Sequence, residues 1–533
     1  MPHRWRSGLP ASPRQGGAPF GPSFRSVGFR PLFSRAMIRS CHIDIQGGVI
    51  AHVQPAEQAR VTIDGAEFPV PRGACILPGL VDTHCHLIGL GMMASRVSLH
   101  GAGSPMECAQ RVAEHARRLP HGTWIEGFGW NQEEWEGGGW PDRSILDALV
   151  PDHPVVLQRV DTHASWINSR AIILAGIMPG NVPGGEIVID GEGRPTGILV
   201  DSATRLVERA MPEPSNRQKR DWIERSIAEA VRLGITEVHD MNVELARVES
   251  MVNVSEGGGM LLRCRVFLAG MEGEWTIIPA PTPLGPNLDT VGVKYFADGA
   301  LGSRGALLLE PYSDAPTHGL CLLSRAELLE KGARAASAGY AVSTHAIGDG
   351  ANRLVLDAYE RLRSDNPDAL LRIEHAQVVH QDDLDRFQRL GVLPVVQPIH
   401  CVSDAAMAEA RLGVERCREA YRWRSLRETG CPLLGGSDFP IESPDPRAGM
   451  RAFVERRPPG RPRAWFGHER ISRDDAIRAY TEWAPLGVPG TPSRGRLAPG
   501  YDADLVVFDG DPFDRGEVAA TFVGGMPVFR RDE

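Results

Sequence analysis

Along most of this chain, short runs that are almost wholly apolar alternate with stretches in which apolar residues recur every three to four positions. The first pattern marks strands buried on both faces, and the second marks amphipathic helices. Eight strand-like runs stand out, at 76–86, 235–240, 264–269, 291–298, 341–346, 371–376, 393–397 and 432–437. Helical patterns separate several of them, including Trp222–Leu233 and Ala351–Leu362. Eight such repeats predict an α/β protein built on a (β/α)8 TIM-type barrel, here residues 76–489. The interval between the first two strands is too long for one crossover. It predicts a large insertion after barrel strand 1, at about 100–220, with strands of its own near Thr123–Phe128 and Pro154–Val160. Strand-like runs with glycine turns follow Ile38 and recur from Gly495 to Phe529, Asp504–Asp509 being the clearest. Together the two chain ends, 37–75 and 490–533, predict one small discontinuous β-sandwich domain.

Residues 1–36 follow neither pattern. They carry Arg4, Arg6, Arg14, Arg25, Arg30 and Arg35, no acidic residue, and many Gly, Pro and Ser. That composition fits a disordered or mis-annotated extension, with Met37 as an alternative start and a targeting segment as the competing reading. Elsewhere, a net charge of −9 without a basic stripe argues against nucleic acid, and no apolar run of 18 residues argues for a membrane span. A small molecule is the expected partner, and a homo-oligomer is left open. The nine cysteines are scattered and never in Cys-x-x-Cys spacing, as expected of reduced thiols in a cytoplasmic protein.

The chemistry gathers at strand ends. Run 76–86 closes on Asp82-Thr83-His84-Cys85-His86, and alternate strand side chains share a face, so two imidazoles can grip one ion. A lone His-x-His is weak evidence. Later runs carry Lys294, His345, His375 and Asp438 near their C-terminal ends, where a barrel displays its functional residues. Each has a plainer explanation: a strand-end histidine can be a satisfied core residue, and Ser437-Asp438 before Phe-Pro can be a turn. Lys294 is notable because only three of the 58 basic residues are lysine, the others being Lys219 and Lys331.

With these strand ends, Phe128-Gly-Trp130-Asn131, Trp140-Pro-Asp-Arg143, Val160-Asp-Thr-His163-Ala-Ser-Trp166-Ile-Asn168, Lys294-Tyr-Phe-Ala-Asp298 and Arg496-Leu-Ala-Pro-Gly-Tyr-Asp-Ala-Asp504 make the chain resemble the amidohydrolase superfamily. Specifically, it resembles the amidohydrolase-3 branch of YtcJ-like proteins that includes N-substituted formamide deformylases. The resemblance runs from about residue 38 to the C-terminus. It implies that His84, His86 and Asp438 bind one divalent metal and His345 and His375 a second, two zinc ions per chain, bridged by an N6-carboxylated Lys294. An arginine could not form that carbamate, because its guanidinium stays protonated. The competing reading of Lys294 is a buried ion pair with Asp298, four residues on. The resemblance further implies hydrolysis of a non-peptide amide or formamide-type C–N bond by a metal-bound hydroxide, with Asp438 as catalytic proton shuttle. Trp130, His163 and Asp298 are candidate substrate contacts. Tryptophans 124, 130, 135, 140 and 166 either form an apolar lid or fill the insertion's own core. Alternatives are hydrolysis of an ester, lactone, cyclic amide or phosphoester on the same site, a one-metal enzyme, or a non-catalytic scaffold.

Overall fold

The computed structural model describes residues 41–160, 163–490 and 493–532. The expectations for residues 1–36 and for a strand beginning at Ile38 lie outside them. The described chain forms two compact units.

The first unit comprises residues up to Cys85, Ala230–Leu245 and the chain from Leu261. At its centre are eight parallel strands: β1 Leu80–Cys85, β2 Ile235–Val243, β3 Arg263–Ala269, β4 Leu288–Phe296, β5 Ala341–Ala346, β6 Leu371–His375, β7 Val392–Val396 and β8 Leu434–Gly435. Each pairs with the next in chain order. Closure comes at β8 and β1, where Asp438 N–H donates to the His84 carbonyl at 2.8 Å and Thr83 Oγ to the Gly435 carbonyl at 2.9 Å. A Cβ on Gly436 would lie 2.7 Å from the backbone nitrogen of His84, so this seam requires glycine. All C-terminal strand ends therefore meet at one rim, as the βαβ rule demands. The β5 and β6 strands are wholly buried, and helix Asp349–Asp365 between them buries Val355, Leu356, Tyr359 and Leu362 on one face.

The same unit holds two small sheets. One orders Val49–Pro55, Cys41–Gln46, Arg60–Ile63 and Ala66–Phe68; the other orders Met526–Arg530, Val518–Val523, Leu505–Phe508 and Cys75–Pro78. Cys41, Ile43 and Ile45 alternate inward and share a core with Ile76, Leu505, Val507 and Phe522. The single strand expected at 76–86 is thus corrected to two. Cys75–Pro78 pairs antiparallel with Leu505–Phe508, whereas Leu80–Cys85 enters the barrel. The break falls at Gly79, where a Cβ would sit 2.2 Å from Thr236 Oγ1.

The second unit comprises His86–Glu229 and Ala246–Met260. Its six-stranded sheet orders Gly185–Ile189, Pro195–Asp201, Ala164–Ile167, Val155–Arg159, Ile125–Trp130 and Val97–Ser98. Alternating side chains feed two cores. Trp130, Leu157, Trp166 and Ile198 lie on one face with Cys108, Val112 and Leu146, while Val156, Ile167 and Leu199 lie on the other with Ala171 and Val207. Trp130 stacks on Trp135 with ring centroids 5.9 Å apart and meets Trp166 edge-on at 6.4 Å. These three tryptophans are buried and Trp124 packs beside the second core. The lid reading is corrected accordingly: the tryptophans are chiefly this unit's own core, and only Trp140 is exposed.

Candidate metal centre

At the end of β1, Asp82 holds the barrel seam together. Its carboxylate accepts Ser437 Oγ–H at 2.6 Å and the backbone N–H groups of His84 and Ser437, both at 3.1 Å. Burial still pushes Asp82 up to about 7, against these bonds. Two residues on, His84 is buried and its Nδ1 meets Glu374 Oε2 at 2.6 Å. Glu374 in turn accepts Ser343 Oγ–H at 2.7 Å and Arg372 Nε–H at 2.9 Å. Burial would raise this carboxyl, but Arg372 and then His84 hold it well below the usual range. The pairing leaves His84 Nε2 for the mouth, 3.5 Å from Asp438 Oδ1.

Around that nitrogen the later strands converge. The rings of His84 and His375 have centroids 4.9 Å apart, and those of His345 and His375 are 4.5 Å apart. Ligand atoms of His84, His86 and Asp438 lie within 4.8 Å of one another, His86 following β1 directly in the chain. His375 directs its Nδ1 to Gln397 Oε1 at 2.8 Å. His375 and Asp438 both adopt left-handed backbone, with φ of 73° and 60°, a conformation costly for residues with a Cβ and concentrated at functional sites.

Burial makes these groups suitable donors. It lowers His84 to about 4 and His345 to about 3, with the Lys294 charge adding to both, and it takes His375 well below its ordinary value. Neutral imidazole is the ligating form. Lys294 is itself buried and lowered to about 8, against the opposing pull of Glu374 and Asp438. Its Nζ lies 4.9 Å from the Phe296 ring centroid. Neutral imidazoles, a carboxylate and an uncharged-prone lysine at one mouth form a donor set that fits divalent metal. His345 Nε2 is buried and makes no hydrogen bond, its neighbour being Asp298 Oδ1 at 3.4 Å.

Three other candidates lie elsewhere or do other work. The Asp298 carboxylate organises loops, accepting backbone N–H from Leu307, Ile347 and Gly348 at 2.8–3.0 Å. Among the described residues it forms no ion pair with Lys294, although its Oδ1 approaches His345 Nε2 at 3.4 Å. Trp130 is fully buried in the second unit, with its indole N–H given to the Leu157 carbonyl at 2.7 Å. His163, also in that unit, is exposed and sets Nδ1 2.8 Å from Asp201 Oδ1.

One residue at the mouth escaped the sequence reading. His400 lies on helix Pro398–Ser403, immediately after β7, and groups with His375 and Asp438 within 4.8 Å. Its signal was available in Gln397-Pro-Ile-His400, at the exit of a strand from which no site residue had been drawn.

With the geometry in place, comparison with known proteins is informative. Residues 72–529 match the family model described as "Amidohydrolase family". The YtcJ protein of Bacillus subtilis (strain 168) is 34% identical over 481 residues, covering 86% of this chain and 90% of its own length. The N-substituted formamide deformylase of Arthrobacter pascens is 27% identical over 91% of this chain and 94% of its own. A metal-dependent hydrolase from Pyrococcus furiosus, known from its crystal structure, superposes with a TM-score of 0.72 at 28% identity. That match covers 90% of this chain and all of the other.

Proposed function

The chain belongs to the amidohydrolase family, and from that premise we propose that it hydrolyses a non-peptide carbon–nitrogen bond of amide or formamide type. One observation carries the reading: neutral imidazoles, the Asp438 carboxylate and a buried lysine converge on one mouth, with the ligand atoms of His84, His86 and Asp438 within 4.8 Å of one another. The name of the Arthrobacter relative favours an N-substituted formamide as the substrate class.

In this reading His84, His86 and Asp438 would hold one divalent ion, and His345 and His375 a second. The mixed donor set suits zinc. Such ions supply Lewis acidity toward the carbonyl and lower the pKa of water from 15.7 to about 7. The chain's residues do the rest. As a free amine, Lys294 would attack carbon dioxide: an N–C bond forms as one C=O π bond opens, the released N–H proton passes to water, and the resulting carbamate would supply anionic oxygen ligands. Burial lowers the lysine to about 8, which raises the amine fraction near neutral pH above that of an ordinary lysine. Glu374 and Gln397 engage Nδ1 of His84 and His375, directing each Nε2 inward. Asp438 takes a proton from the attacking water and delivers it to the departing nitrogen, leaving a carboxylic acid and an amine.

The test is a panel of N-formyl amines, cyclic amides, lactones and organophosphates, run beside elemental analysis of the metal content. Hydrolysis of N-formyl amines with two metal equivalents is expected. Lys294→Arg is expected to lose one equivalent and most turnover, with no recovery in bicarbonate. Turnover confined to lactones or phosphoesters would overturn the substrate class, and wild-type behaviour of Lys294→Arg would overturn the carbamate.

A further inference from the structure

Six residues fill the metal roles, and a seventh polar group at the same mouth has none. His400 packs its ring against His375, with centroids 6.3 Å apart and planes inclined by 14°. Its ligating atom is within 4.8 Å of those of His375 and Asp438. Nε2 is buried and has no hydrogen-bond partner. So is Nε2 of Gln397, three residues earlier, whose Oε1 is already engaged by His375. Leaving such a group unmatched is costly, and a ligand or water usually satisfies it. Asp404, four residues on, accepts the Tyr421 hydroxyl at 3.0 Å.

We infer that His400 contacts the substrate, hydrogen-bonding through Nε2 to the scissile carbonyl group of the bound amide. The inference rests on the hydrolase reading. A metal ligand is the rival role, but the six residues above would already serve two ions, and a catalytic ion keeps a position open for substrate. The location suits a carbonyl contact: His375 would serve the ion that polarises the carbonyl, Asp438 delivers the proton, and His400 reaches both.

Zinc-loaded wild type, His400→Ala and His400→Asn would be compared by elemental analysis, by calorimetric titration with acetohydroxamate, and by kcat/KM on an N-formyl amine. Both variants are expected to keep the wild-type metal content. Their acetohydroxamate Kd is expected to rise about 10-fold and kcat/KM to fall about 10²–10³-fold, with asparagine recovering part of the loss. Wild-type affinity and kinetics in either soluble variant would overturn the contact, and a lost metal equivalent would overturn it in favour of a ligand. Should wild type hydrolyse nothing in the panel, the hydrolase reading falls, while the acetohydroxamate arm still reports on His400.

Discussion

Two clusters of buried histidine and carboxylate share the barrel interior, and they differ in what they leave unspent. One gathers His84, His345, His375 and Asp438 at the mouth; the other surrounds His239 on β2. Burial lowers both His84 and His239 to about 4, so neither burial nor titration separates them. Valence does. His239 sets Nε2 3.3 Å from Glu237 Oε1 and Nδ1 3.0 Å from Arg372 Nη1, and Glu237 also takes Arg265 and Arg494. Both of its ring nitrogens are engaged. At the mouth, His400 keeps a buried Nε2 with no hydrogen-bond partner, and His345 Nε2 makes no hydrogen bond, with Asp298 Oδ1 3.4 Å away. A charged cluster in a core is therefore structural when its bonds close on themselves, and a candidate site when they do not.

Four changes would break or sharpen that contrast. Asp438→Asn removes the proposed proton carrier, and turnover should fall on the order of 10³–10⁴-fold (about 4–5.5 kcal/mol) with much of the metal retained. Full activity in steady-state assays would exclude the shuttle. Arg372 serves both clusters, donating to Glu374 and meeting His239. Arg372→Met should cost about 3–5 kcal/mol in urea unfolding, since it strands buried Glu374; a cost under about 1 kcal/mol would show the clusters to be independent. Glu374→Gln keeps the fold but weakens the grip on His84, and metal affinity should drop about 10–100-fold by chelator competition. Unchanged affinity would deny Glu374 its orienting role.

The smallest effect concerns pH. His84 and His345 have native values below the ordinary 6.5, so the unfolded chain takes up protons first as pH falls. Their contribution is full above 6.5 and is lost on the way down to about 4 and about 3. The depressed Glu374 carboxyl adds loss of the same sign below about 4.5. Metal-free protein should lose about 1 kcal/mol per histidine, about 2 kcal/mol for the two, between pH 6.5 and 5.5, and flat stability across that range, by urea titration, would contradict the buried neutral imidazoles.

Much of this architecture was legible before any coordinates. Parallel strands buried on both faces write themselves as apolar runs, which is why all eight barrel strands were found within a few residues. Periodicity could not see that the run at 76–86 changes sheets at Gly79, because both halves are equally apolar. The insertion was harder. Strands such as Pro195–Asp201 are short and interrupted by Gly197, and Trp130 looks alike in a lid and in a core until its N–H is seen bonded to Leu157. The loop bonds of Asp298 were illegible for a related reason: backbone N–H partners arriving from two separate loops leave no mark in a one-dimensional pattern. His400 was missed because it sits past the strand, on a helix begun by Pro398.

The strand change at Gly79 also sets a clock. Cys75–Pro78 waits for Leu505–Phe508, more than 400 residues later in the chain, and Gly79 N–H waits for the Asp504 carbonyl. At about 5–20 residues per second, translation takes roughly 20–80 s to deliver those partners. Through that interval the nascent strand bearing His84 has no anchor on its upstream side, and a C-terminal truncation ahead of Leu505 would leave it without one permanently.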